Sequence, residues 1–196
     1  ETIIWPSQRD GWTHLYRFDV PGPEHAGGND PGPFQITRGN WVAREIKHVD
    51  AHSKTVYFTA GGKEPGIDPY YRLLYKVGFD GSNLQSLSVE DADHTVTFSP
   101  SGKYFVDTFS RVDLPPVTVL RSCDGTRHLE LQKADVELLM ETGWKPPERF
   151  CVKGRDGVTD VYGVIFRPSR FDPAKKYPVI EGNYSGPHTI RTPKTF

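Results

Sequence analysis

The 196-residue chain has room for one domain and a fraction at roughly 150 residues per domain, and its 19 glycines and 17 prolines stay below the range of low-complexity sequence. With 24 basic residues against 25 acidic ones the net charge is −1, which leaves no basic footprint for nucleic acid. Apolar runs of only a few residues exclude a membrane-spanning helix, and the spacing of glycine and proline breaks every heptad that a coiled coil would need.

Residues 1–7 have neither a basic n-region nor a cleavage site, so they read as a strand entered in mid-fold rather than as a signal peptide. Asp10-Gly11 is a tight hairpin turn and leads into a strand over 13–18. The polar turn Asp50-Ala51-His52-Ser53 precedes a strand over 54–59, and another strand over 72–77 ends at Asp80-Gly81. Strands over 94–98 and 103–110 flank a hairpin turn at 99–102; strands over 117–121 and 128–131 flank Asp124-Gly125. Short alternating runs between turn residues mark an all-β protein. Two groups of about four strands, starting near Trp41 and near His94, repeat at the period of propeller blades.

Past residue 132 the character changes. Residues 135–141 place apolar groups at helical spacing and stop at Gly143, a good C-cap. Trp144-Lys145-Pro146-Pro147 is a stiff connector, and strands follow over 149–153, 160–167 and 178–183. The expected fold is therefore mainly β: a partial propeller of about two four-stranded blades plus a hairpin over 1–132, then a second unit over 133–196. The way both ends fall predicts a piece of a longer protein.

The candidates for chemistry are few. A hydrolase elbow needs Gly-x-Ser-x-Gly, and the nearest approach, Gly182-Asn183-Tyr184-Ser185-Gly186-Pro187-His188, fails on both sides of Ser185. Ser185 and His188 are also too close in sequence for a triad built from separate loops. His48, Asp50 and His52 would share one face of a strand as metal ligands, but a solvated hairpin turn is the simpler reading. Glu90-Asp91-Ala92-Asp93-His94 lacks the glycine and terminal glutamate of a calcium loop and reads as a carboxylate-bearing loop, with His94 structural. Gly61-Gly62-Lys63 lacks the spacing of a phosphate loop. Trp5, Trp12, Trp41 and Trp144 sit at strand starts or turns, where rings between blades would pack into the core rather than form a sugar platform. Cys123 and Cys151 are too few for a disulfide scaffold or a zinc site; one bridge is open to them if their Cα atoms come within about 7 Å. Tyr184 ends a buried-looking strand just before Ser185-Gly186-Pro187, where a phenol could donate to a developing oxyanion.

At these residues the sequence resembles the prolyl oligopeptidase family of serine peptidases, in its dipeptidyl peptidase IV branch. The first part is similar to that family over residues 7–16, in Ile36-Thr37-Arg38-Gly39-Asn40-Trp41, and at 56–60, 74–81, 98–104 and 110–116. The second part resembles the start of the family's α/β-hydrolase domain at 154–163, Arg167-Pro168, 176–179 and Tyr184-Ser185-Gly186-Pro187. The resemblance implies a propeller that filters substrates and a hydrolase that cleaves peptides, often after proline, with a Ser-Asp-His triad and neither metal nor cofactor. It implies that Tyr184 helps form the oxyanion hole, whereas the triad and the paired glutamates that hold the substrate amino terminus fall outside this chain. The 196 residues alone are therefore expected to be catalytically silent. Peptide is the implied substrate, a homodimer is left open, and a periplasmic or secreted setting stands ahead of a cytoplasmic one without being decided. The competing readings are a non-enzymatic propeller that binds protein or peptide, which accounts for 1–132 but not for 148–187, and an esterase-type hydrolase of the same fold.

Overall fold

Turn residues placed between runs of β formers fold the chain into successive antiparallel meanders. The structure, a computed structural model, describes residues 1–20, 32–126, 128–184 and 189–196. β1 (Thr2–Ser7) and β2 (His14–Asp19) form the expected hairpin, and β3 (Phe34–Gln35) completes a three-stranded sheet. Gly11 takes φ +91° in the turn and donates its N–H to the Gln8 carbonyl at 3.0 Å. Next come β4 (Val42–Asp50), β5 (Thr55–Gly61), β6 (Leu73–Gly78) and β7 (Gln85–Ser86), four strands in sequence order. β8 (Asp93–Phe98), β9 (Tyr104–Arg111), β10 (Leu114–Ser122) and β11 (His128–Lys133) repeat that arrangement. The chain is thus a partial β-propeller, and the two four-stranded groups lie where the turn spacing put them.

The sheets stack face to face, and the period-two alternation of each strand divides its side chains between two neighbours. Val56, Phe58 and Ala60 of β5, with Leu73, Tyr75 and Val77 of β6, join Leu15, Ile36 and Trp41 in one core against the three-stranded sheet. Their sequence neighbours Tyr57 and Leu74 face the other way and pack with Val96 and Phe105 of the last four-stranded sheet and with Cys123 just after β10. A sheet covered on both faces explains why β5 is buried along nearly its whole length.

Only one tryptophan meets the expectation of core packing. Trp41 is buried and stacks near Phe58 and Tyr75, while Trp144 is half-buried against Phe196. Trp5 and Trp12 are exposed, because one lies on the edge strand β1 and the other in the turn after it, with no further sheet against them among the described residues.

The second part departs further from the sequence pattern. The predicted helix shortens to α1 (Glu137–Glu141), none of whose residues is buried, and Gly143 follows at φ +82°. β12 (Glu148–Lys153) and β13 (Asp160–Ile165) form a two-stranded sheet, near the predicted positions. The strand expected over 178–183 does not form: the stretch is unpaired, and Val179 and Ile180 are almost wholly exposed. A strand exists only through a ladder to a neighbour, and neither β12 nor β13 offers one to this run. Cys123 is buried and Cys151 exposed, and both are free thiols.

Candidate functional site

The turns at the two ends of the sheets differ in what they carry. At one end the loops before β6, before β8 and between β9 and β10 receive the second part of the chain. Arg149 of β12 donates from Nη1 to the Tyr71 hydroxyl at 3.1 Å and lies 3.6 Å from both Asp91 and Asp113. Arg111 pairs with the same two carboxylates, at 2.8 and 2.5 Å. Burial pushes the Tyr71 phenol up, with the Arg149 guanidinium working against it. Farther along, Lys194 pairs with Asp68 at 2.6 Å, and the Phe196 N–H donates to Ser110 Oγ at 3.0 Å. These contacts hold Lys194 and Phe196 to the loops at this end of the propeller sheets.

Tyr184 itself is 57 % exposed and follows the unpaired run, so it does not end a buried strand as its sequence context suggested. A phenol on an accessible loop can donate a hydrogen bond to an oxygen brought to it. Ser185 and His188, with Gly186 and Pro187 between them, lie outside the described residues.

The acidic stretch 90–94 is distributed rather than pooled. Glu90 goes to Arg121, Asp91 to Arg111, Asp93 to Arg72 and His94 to Asp107. Among the described residues Glu90, His94 and Asp107 form a group compact enough to hold a metal ion. The Arg121 guanidinium already supplies the positive charge there, donating to Glu90 at 2.6 Å and standing 3.2 Å from Asp107. His94 is structural, as its sequence position suggested: Nδ1 meets Asp107 at 2.9 Å and Nε2 meets the Glu90 carbonyl at 3.2 Å. Of the triplet His48, Asp50 and His52, the first two side chains are engaged elsewhere. The His48 ring stacks on Phe98, and the Asp50 carboxylate accepts from the His52 and Ser53 backbone N–H groups and the Ser53 hydroxyl.

At the opposite end, the β4–β5, β6–β7, β8–β9 and β10–β11 turns border an open cleft of about 1180 Å³, with Lys54, Lys76, Lys103, Asp80 and Asp124 on its walls. Hydrogen bonds from Ser122 and Thr126 hold the exposed Asp124 carboxyl down to about 2. Basic side chains (Arg17, Lys54, Lys76, Lys103) and acidic ones (Asp50, Asp80, Asp124) both line it.

One residue that organises the molecule, His14, had no signal in the sequence beyond its place in a motif. His14 is wholly buried, with Nδ1 3.0 Å from the Thr37 hydroxyl, Nε2 2.9 Å from the Gly39 carbonyl and its ring edge-on to Trp41. It joins the motif around Trp12 to Thr37-Arg38-Gly39-Asn40-Trp41, a convergence that only pairing of β2 with β3 produces.

Residues 1–116 match the family described as the dipeptidyl peptidase IV N-terminal region. The Aspergillus oryzae protein named "Probable dipeptidyl-aminopeptidase B" is 30 % identical over 204 residues, covering all of this chain and 21 % of its own length. Dipeptidyl peptidase 4 of Trichophyton rubrum is 28 % identical over 187 residues, covering 92 % of this chain and 22 % of its own length. The crystal structure of Porphyromonas gingivalis dipeptidyl peptidase 4 superposes with a TM-score of 0.74 at 26 % identity, over 99 % of this chain and 26 % of that one. The chain spans about a fifth of the length of the curated relatives it matches.

Proposed function

The chain belongs to the dipeptidyl peptidase IV N-terminal-region family, and on that premise we propose that it is the propeller-to-hydrolase part of a serine exopeptidase that removes dipeptides from peptide substrates, often after proline. Residues 1–132 are the closing blades of the substrate-filtering propeller, and 133–196 are the linker helix and first strands of the hydrolase domain. The nucleophile, aspartate and histidine are supplied by other parts of the whole protein, and Tyr184 donates its hydroxyl to the oxyanion of the tetrahedral intermediate.

The observation that carries this reading is the reach of the similarity. The relatives align across both parts of the chain, through β12, β13 and Tyr184, and not over the propeller alone. A propeller that only binds protein has no need of that second part. The docking of β12 and Lys194 on one end of the sheets supports a common origin of the two parts in one enzyme.

A fluorophosphonate probe tests the proposal on the native protein that contains this chain. A labelled band much larger than 22.1 kDa that an antibody to this chain recognises is the expected result. A recognised band that takes no label sinks the peptidase reading and removes the role given to Tyr184.

A further inference from the structure

The Lys194 ammonium is enclosed. Its partner Asp68 lies 2.6 Å away, and only about a tenth of either side chain is exposed. The rings of Tyr70, Tyr71 and Tyr162 surround the same nitrogen at 4.9, 5.8 and 5.9 Å from their centroids. Three π-faces and one carboxylate around a single cation make an aromatic cage, the arrangement that recognises ammonium groups through ring quadrupoles and direct charge.

The walls are held by contacts that do not involve Lys194. Asp68 Oδ1 accepts the Tyr70 N–H at 2.9 Å, and the Tyr71 N–H donates to the Asp68 carbonyl at 3.0 Å, which leaves Oδ2 for the ammonium. Tyr70 meets Tyr162 edge-on with centroids 6.0 Å apart, and the buried Tyr71 accepts from Arg149. The loop before β6, strand β13 and the C-terminal stretch converge here, with Lys194 lying 126 residues from Asp68. Because these wall contacts do not pass through Lys194, removing its side chain leaves each of them its partner, the condition for a preorganised site.

We propose that Asp68, Tyr70, Tyr71 and Tyr162 form a receptor for a primary alkylammonium group, with Lys194 as its tethered occupant. The bond to Asp68 sets the preference: a primary ammonium donates to Oδ2, whereas a quaternary one offers only charge to the rings. Occupied from within, the cage fastens residues 189–196 to the propeller; vacated, it takes a free amine of the same class. The inference is independent of the peptidase reading.

The test uses the full chain. Lys194→Ala is titrated with n-butylammonium chloride against a sodium chloride control, with the ring signals of Tyr70, Tyr71 and Tyr162 followed by NMR. Saturable shifts in the variant and none in the wild type are expected, with binding of tetramethylammonium at least about tenfold weaker. Adding Asp68→Asn should abolish the response. A variant with intact Trp41 fluorescence that shows no saturable shift overturns the proposal, as does equal binding by the wild type. A second measurement needs no variant: acetic anhydride should modify Lys194 at least about tenfold more slowly than Lys175, which is 71 % exposed. Equal rates overturn the cage.

Discussion

The His94 imidazole and the Asp107 carboxylate stand 2.9 Å apart between β8 and β9 with neither side chain exposed at all. Arg121 of β10 lies on the far side of Asp107, with Nε 3.2 Å from Oδ2 but out of hydrogen-bond alignment, and reaches on to Glu90. The last four-stranded sheet is therefore tied across β8, β9 and β10 by the Asp107 carboxylate, which stands between His94 and Arg121.

Asp107→Ala should cost about 3–5 kcal/mol, because it leaves a buried guanidinium and a buried imidazole without their shared carboxylate. Urea unfolding of the purified chain measures this. A loss below about 1 kcal/mol means that the network contributes little and that the apolar packing of Val96 and Phe105 suffices.

The same network should contribute to the acid limb of stability. Burial pushes the Glu90 carboxyl up, but the hydrogen bond and charge of Arg121 outweigh it and hold the group below the usual carboxylate range. A lowered folded-state value means that the contribution is complete above the unfolded value near 4.5 and is lost as pH falls through the folded one. Glu90→Gln should therefore flatten the fall of the urea midpoint below pH 4.5 and leave its slope near neutral pH unchanged. An acid limb identical to that of the wild type contradicts the assignment.

Gly39 is required by both its backbone and its neighbour. It sits at φ +126°, and an added Cβ would come within 2.6 Å of Trp41 Nε1. Gly39→Ala should destabilise the chain by about 1–3 kcal/mol and shift Trp41 emission, since the ring must move out of its place beside His14, Phe58 and Tyr75. Unchanged emission and an unchanged midpoint argue against this packing.

The two thiols should react in turn. Burial pushes the Cys123 thiol up to about 11, with Lys76 opposing and Asp124 adding to the shift, while Cys151 is exposed. Maleimide at pH 7 is expected to label Cys151 alone, and Cys123 only after denaturation. Mass spectrometry of tryptic peptides reads the result, and early labelling of Cys123 overturns it.

In the full-length protein, Tyr184→Phe should lower kcat by about 10²–10³-fold with little change in KM, the pattern of a donor used only in the transition state. An unchanged kcat removes Tyr184 from the oxyanion hole.

Turn chemistry and period-two alternation are local properties, so the β architecture, the two four-strand groups and the hairpins at Asp10-Gly11, 99–102 and Asp124-Gly125 are legible residue by residue. The family, too, was legible in the order of its short motifs. Other features depend on which segments meet in space. Val179-Ile180 reads as a strand yet stays unpaired for want of a neighbouring edge, and Trp5 and Trp41 look alike in sequence although one is exposed and the other buried between sheets. The contacts that fasten the second part of the chain (Arg149 with Tyr71, Lys194 with Asp68) join residues scores of positions apart. No local pattern encodes such pairs, since each depends on how the stacked sheets bring distant loops to a common end.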